Sequence, residues 1–356
     1  MASRLIRSRR ISYAQIGWSL AASLIFVPLA FWGVSPEELW HSLEQADGRP
    51  IAIAVGLFVL TAVAKTARWA LFFPPGGARF SSLFAALIIG QLVNFLLPAR
   101  LGEVARIAVV KRREHGRAAW LLGTIADEKI VELIALASLI LIALPIVPLP
   151  VWLLDSSLRL VVLILGAVLT LCIAIQQRAR LRRGWRWLVG IFSRRSTGAL
   201  EQQFDMTFDA LLLLGRRSVA LKAVLWSALI WGLMIATNYT LFLALRLEPS
   251  WLVAIVLLIV LQIGVSVPST PAKVGIFQYL TSLTLTLFGV SRETALSYGM
   301  LLYLIVLVPQ VVIAGPFVWQ EITRRQNAPV RLDAPSPVLP PDAPQSGRAA
   351  GEESRP

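Results

Sequence analysis

The chain has 356 residues, of which 56% are hydrophobic and 15% charged, and its mean hydropathy of +0.70 excludes an ordinary soluble domain in favour of an integral membrane protein. A bilayer core of roughly 30 Å takes about 20 apolar residues per helical crossing, so this length holds around eight crossings and no sizeable soluble catalytic domain. In such a chain the net charge of +14 reports orientation and contact with anionic lipid, and nucleic-acid binding is set aside.

Arg4, Arg7, Arg9 and Arg10 form a basic N-terminus, residues 1–10, ahead of the apolar run Ile11 to Trp32. That run is long enough to span and lacks an obvious small-residue cleavage site, so it is expected to be a retained first helix. Further apolar runs follow at Ile51 to Phe73, Phe80 to Leu97, Ala118 to Leu144, Leu158 to Ile175, Val219 to Leu245, Trp251 to Val267, Val274 to Val290 and Ala295 to Trp319. The expected fold is all-α, a polytopic helical bundle over residues 11–320. Beyond Gln326 the chain is rich in Pro, Ala, Ser and Asp, and residues 321–356 are expected to be a disordered cytoplasmic tail. Cys172 is the sole cysteine and lies in an apolar run, so no intramolecular disulfide can form. With His41 and His115 far apart, no metal site is expected, and nothing in the sequence calls for a cofactor.

If every run crossed fully from an inside start, Arg178 to Arg217 would lie outside with nine arginines, against the positive-inside rule. The conflict disappears if Phe80 to Val110 enters from the cytoplasmic side and turns back, which also keeps Lys111, Arg112, Arg113 and Arg117 inside. Glu37 to Asp47 then falls outside. A second hairpin over Trp251 to Val290, entering from the outer face, or a full pair of crossings there, places Arg324 and Arg325 inside. Both termini are thus expected in the cytoplasm of a bacterial cell with this chain in its inner membrane. The stretch Arg178 to Arg195 interleaves arginines with Trp185, Trp187, Leu188, Ile191 and Phe192, the pattern of a headgroup-layer helix or of a plain basic loop.

Both proposed hairpins carry the same pattern of proline, alanine, cation, aliphatic residue and glycine: Pro98-Ala99-Arg100-Leu101-Gly102 and Pro271-Ala272-Lys273-Val274-Gly275. Proline removes a donor and glycine permits unusual dihedrals, so each pattern can end one half-helix and start another. The N-terminus of the second half-helix with Arg100 or Lys273 beside it makes an anion site. A duplicated break entering from opposite faces is the sequence trace of an inverted-repeat transporter, and non-helical backbone at membrane depth implies a polar interior. The bland alternative is a pair of interfacial loops whose cations snorkel.

Polar residues surround both breaks. Asn94 precedes the first, and Glu103 follows it within i+3 reach of Arg106; Gln262, Ser266, Ser269 and Thr270 precede the second, and Gln278 follows. About 13 to 15 Å into the run from Ala118 stand Asp127, Glu128, Lys129 and Glu132. Glu128 and Glu132 share a helix face and Lys129 can neutralise Glu132 at i+3. Two accounts stay open: an ion pair holding the bundle interior, and a protonatable carboxylate or counter-charge to Arg100. Lys65 and Arg68 are expected to snorkel at the end of the second helix.

Asn94-Phe95-Leu96-Leu97-Pro98-Ala99-Arg100-Leu101-Gly102-Glu103, with Arg106 after it, resembles the first signature of the lysylphosphatidylglycerol synthase transmembrane-region family, also called flippase-like or UPF0104 membrane proteins. Pro268-Ser269-Thr270-Pro271 with Gly275 resembles its second. The resemblance extends by hydropathy over roughly Ile16 to Trp319, with Glu128-Lys129 and Glu132 where the family tends to carry a Glu-Arg pair and an Asp. Ala272-Lys273 replaces a usual Gly-Gly, and Gln278 stands where an acidic residue is common. The resemblance implies translocation of a lipid or lipid-linked glycan, or support of a lipid-modification pathway, without the cytosolic aminoacyl-transferase domain of bifunctional relatives.

The expected function is therefore movement of an anionic phospholipid or lipid-linked headgroup across the bilayer. Arg100 and Lys273 would hold phosphate, with Asn94, Arg106, Lys129 and Gln278 also facing substrate. Glu103, Glu128 and Glu132 would balance charge, and Pro98, Gly102, Pro268, Pro271 and Gly275 would shape the backbone. No phosphate-binding G-x-x-x-x-G-K-[ST] loop is present, and the chain is not expected to be an enzyme. The rivals are a membrane-embedded transferase using Asp127 and Glu128 on a lipid-linked donor, and a non-transporting accessory protein.

Overall fold

The computed structural model describes residues 36–74, 76–97, 101–114, 116–146, 151–177, 180–184, 197–248, 250–264 and 271–327. The run Ile11 to Trp32, the segments 98–100 and 265–270, most of the stretch Arg178 to Arg195, and the tail after Asn327 lie outside them. Among the described residues the regular structure is helical: α1 Pro36–Glu44, α2 Gly48–Ala70, α3 Phe80–Leu96, α4 Gly102–Glu114, α5 Ala118–Ala143, α6 Val151–Gln176, α7 Thr197–Leu211, α8 Arg217–Ala244, α9 Trp251–Gly264, α10 Ile276–Leu287 and α11 Arg292–Asn327. Short 3₁₀ turns occupy Leu212–Gly215 and Pro271–Lys273.

Among the described residues three helices are long and apolar enough to cross a bilayer, Gly48–Ala70, Arg217–Ala244 and Arg292–Thr323. Their outer faces carry Ile53, Leu60, Leu225, Leu229, Leu243, Leu304, Val308 and Val312, all exposed. An apolar exterior of this extent needs lipid, so the protein is membrane-embedded and multi-pass. Helix α2 is started by Asp47, whose Oδ1 accepts from Arg49 N–H at 2.9 Å. Asp47 N–H also donates to Ala244 O at 2.8 Å, while Arg68 near the other end of α2 reaches Ser227 early in α8. The two helices therefore run antiparallel over their length. Most of the segment Glu37 to Asp47 folds into α1, with Pro36 at its first position where a missing N–H costs nothing.

Two consecutive pairs, α3 with α4 and α9 with α10, are built of shorter helices. At a rise of 1.5 Å per residue, the 17 residues of α3 and 13 of α4 reach about 25 and 20 Å; the 14 of α9 and 12 of α10 reach about 21 and 18 Å. Each pair forms an antiparallel hairpin. In the first, Leu83 near the start of α3 packs in one apolar cluster with Val109 and Val110 near the end of α4. A side chain on Gly102 would run into the Gly90 carbonyl, and one on Gly90 into Arg106, so glycines let the α3 and α4 backbones touch. In the second hairpin Gly264 lies against Leu280, and Phe288 packs back against the cluster containing Ile255 and Val256.

The hairpins enter the bundle from opposite ends. The far end of α4 is tied to the end of α11 by Arg113 Nε donating to Glu321 Oε1 at 2.6 Å. The far end of α10 shares a core with Ile51 at the start of α2 and with Leu245 and Leu247 at the end of α8. Their tips meet, with Lys273 Nζ 5.6 Å from the Phe95 ring centroid.

Candidate functional site

At the tip of the first hairpin, Asn94 stands on the last turn of α3 and joins it to the first turn of α4. Its Oδ1 accepts from Gly102 N–H at 2.7 Å and its Nδ2 donates to Glu103 Oε1 at 3.2 Å. One of the free N–H groups at the start of α4 is thereby satisfied from the neighbouring helix. Arg100, Ala99 and Pro98, the centre of the expected anion site, lie outside the described residues. The pairing expected between Glu103 and Arg106 does not form: Arg106 turns instead to Glu128 on α5. The i+3 spacing permits the local pair, but the buried Glu128 carboxylate offers a stronger partner, and Arg106 is pinned by stacking 4.0 Å from the Trp69 ring centroid.

Glu128 belongs to a charge network that joins α2, α4, α5 and α8. Arg68 Nη2 donates to Glu132 Oε1 at 2.9 Å and lies 3.8 Å from Glu128 Oε1, while its Nη1 donates to Ser227 Oγ at 3.1 Å. Lys129 Nζ donates to Glu132 Oε2 at 2.8 Å, the i+3 pair that the spacing predicts. Three cations thus face two carboxylates. The expectation that Arg68 snorkels is overturned, because its side chain is fully enclosed; cross-helix carboxylates hold it inside more firmly than headgroups could draw it out. Asp127, on the same helix, is also fully buried, and neither of its oxygens has a hydrogen-bond partner.

At the second tip the backbone is unusual. Ala272, Lys273 and Gly275 all have positive φ, 53°, 59° and 85°. Glycine adopts this region freely, but Ala and Lys do so at about 1–2 kcal/mol each. Two contacts hold the turn: Tyr303 O–H donates to Ala272 O at 3.0 Å, and Gly275 N–H donates to Gln278 Oε1 at 2.9 Å. Gln278 is buried and caps α10 through its Oε1. The Gln278 cap at Gly275 is the counterpart of the Asn94 cap at Gly102. Pro268 lies outside the described residues, and Pro271 opens the 3₁₀ turn.

Between the tips lies a cavity of about 270 Å³. Asn94 and Lys273 line it, as do Lys65, Gln91, Asn238, Gln262 and Gln310, with Thr61 and Thr237 adding hydroxyls. Phe58, Phe95, Phe277, Leu258 and Leu302 supply apolar walls. Lys65 therefore faces the interior and is no interfacial cation. The break residues Asn94 and Lys273 are brought together here from positions 179 apart in the sequence, whereas Arg106, Glu128, Lys129 and Glu132 form the network behind Lys65. Sequence reasoning missed Gln91, Asn238 and Gln310. Each is a lone amide inside an apolar run, and such a group in a membrane helix turns inward because lipid cannot bond to it.

This architecture can be set beside known proteins. Over 298 residues, 77% of this chain and 88% of the other, the sequence is 23% identical to a UPF0104 membrane protein of Pyrococcus horikoshii. Residues 16–314 match the family described as Lysylphosphatidylglycerol synthase TM region. The match takes in both hairpins, the charge network and all the cavity-lining residues, and the chain belongs to that family.

Proposed function

We propose that the protein binds the anionic phosphate of a lipid headgroup in the cavity between the two hairpin tips and moves it across the membrane. The observation that carries this reading is the cavity's lining: two lysines and a set of amides at the meeting point of two broken helices, within an apolar exterior. A phosphate ester is the natural partner for such a site, and a midplane site between inverted broken helices is the arrangement of alternating-access transporters. In this reading both hairpins are re-entrant, since neither pair of short helices is long enough to cross, and both termini lie in the cytoplasm of a bacterial inner membrane. The transferase alternative gains less support, because Glu128 is engaged by Arg106 and Arg68 and Asp127 is enclosed, which leaves neither open as a general base.

Reconstitution into vesicles tests the reading. Labelled phosphatidylglycerol placed in one leaflet should appear in the other faster than in protein-free vesicles; an unchanged rate refutes translocation. The topology has its own test in a Cys172→Ser background, where Ser81→Cys and Lys111→Cys should react with an impermeant reagent from the same side. Labelling from opposite sides would show that the first hairpin crosses.

A further inference from the structure

A second cavity, of about 340 Å³, opens where α4 stops and α5 begins. We propose that it binds one phospholipid with a zwitterionic headgroup of the phosphoethanolamine type, its phosphate on Arg117 and its ammonium on Glu114. None of the described residues lines both this cavity and the central one, and the site does not depend on translocation.

The connection between the two helices sets the charges apart. Glu114 is the last residue of α4, and Arg117 is the N-cap of α5 with extended backbone, φ −79° and ψ 128°. Opposite charges three residues apart on one helix pair across a turn; here the helix ends between them. Among the described residues Glu114 has no ion-pair partner, and the Arg117 guanidinium meets only the Met206 sulfur, 3.6 Å from Nη1. The neighbouring cations Arg112 and Arg113 both reach Glu321 instead. One carboxylate and one guanidinium are therefore the charged groups among the described lining residues. A purely anionic ligand would be repelled by Glu114 and a purely cationic one by Arg117. A ligand that carries both charges gains a charge-assisted contact at each.

The walls mark this ligand as a lipid. Phe73, Val110, Trp120, Leu121 and Met206 give the lining its apolar part, and Val110 and Leu121 are buried core residues that hold it in place. Gly77 N–H donates to Pro74 O at 2.8 Å, which folds the turn after α2 into a further wall. Trp120 is half-buried and has neither a side-chain hydrogen bond nor a ring partner among the described residues. An indole, apolar in body with one N–H donor, suits the edge of a membrane-facing run, and its face attracts an ammonium. Further along α5, Leu122 and Leu133 lie on one face of the helix and are exposed, an apolar track on which acyl chains can lie. The volume falls within the roughly 300–1,000 Å³ usual for small-molecule pockets.

Binding by the full-length protein in detergent tests the site, with dihexanoyl phosphatidylethanolamine, dihexanoyl phosphatidylglycerol and free phosphoethanolamine as probes. The background is Lys65→Gln/Lys273→Gln, which removes both lysines of the central cavity. Phosphatidylethanolamine should bind about tenfold tighter than phosphatidylglycerol, the effect of one charge-assisted contact. Glu114→Gln should erase that preference, and Arg117→Gln should weaken both lipids. On the protein without substitutions, a phosphatidylethanolamine with a photoreactive headgroup should label the segments around Trp120 and Met206. Equal affinity for the two lipids, or a preference that survives Glu114→Gln, overturns the zwitterion assignment. Phosphoethanolamine binding as tightly as the lipid makes the ligand a soluble one and overturns the lipid assignment. Absence of binding, or labelling confined to the central cavity, overturns the site. Transfer between leaflets is measured separately in vesicles, so each of these failures leaves the central-cavity reading standing.

Discussion

Glu128→Leu is the most informative perturbation of the charge network. The Arg106 guanidinium, 7% exposed, would lose its carboxylate, and stranding one member of a buried pair costs about 3–5 kcal/mol. One feature limits the loss: Arg68 keeps Glu132 at 2.9 Å, so only one cation is stranded. The net destabilisation should be about 3–5 kcal/mol. Arg106→Met alone should be milder, since Glu128 retains Arg68 at 3.8 Å. The double variant Glu128→Leu/Arg106→Met places two apolar side chains face to face and should recover most of the stability, for a coupling of about 2 kcal/mol or more. Equilibrium unfolding in mixed micelles, followed by tryptophan fluorescence and far-ultraviolet circular dichroism, measures each term. Additivity of the two single variants within about 0.5 kcal/mol would refute a direct Arg106–Glu128 pair.

Three other outcomes follow from the hairpin tips. Asn94→Ala removes the acceptor for Gly102 N–H and should cost about 1 kcal/mol in the same assay, while Asn94→Asp should cost more, because it sets a second carboxylate against Glu103; an Asp variant as stable as the native protein would contradict the geometry. Lys273→Gly relieves a left-handed lysine and should leave thermal stability unchanged or slightly raised, yet slow headgroup transfer in vesicles; full transfer would remove Lys273 from the site. Arg100→Ala should abolish transfer without impairing membrane insertion, whereas Arg324→Ala should leave transfer intact, and native-like transfer by the Arg100 variant would refute the role given to that residue.

Much of the fold was legible in the chain. Hydropathy located α2, α3, α5, α8, α9 and the central part of α11, because lipid demands a long uncharged stretch wherever backbone is to be hidden. Amphipathic pieces escaped it: α1, α4 and α7 have polar faces that lower their mean hydropathy, and their helicity depends on packing against α11, α3 and α5. The paired Pro–Ala–cation–aliphatic–Gly pattern correctly marked two breaks, with Gly102 and Gly275 at the sites of close approach and left-handed backbone.

Sequence alone determined that this is a membrane-embedded helical protein of a recognisable family, interrupted twice by the same motif, because hydropathy, proline and glycine act on the backbone within a few residues. Only the tertiary structure decided which charges meet. Spacing along a helix says what Arg106 can reach; the choice of Glu128 over Glu103 depends on α5 lying alongside α4, and the burial of Arg68 depends on carboxylates from a helix some sixty positions later in the sequence. The cavity is likewise a property of no single segment. Lys65, Asn94, Asn238, Lys273 and Gln310 come from five parts of the chain, and they line one space because the tips of two helical hairpins meet within the bundle.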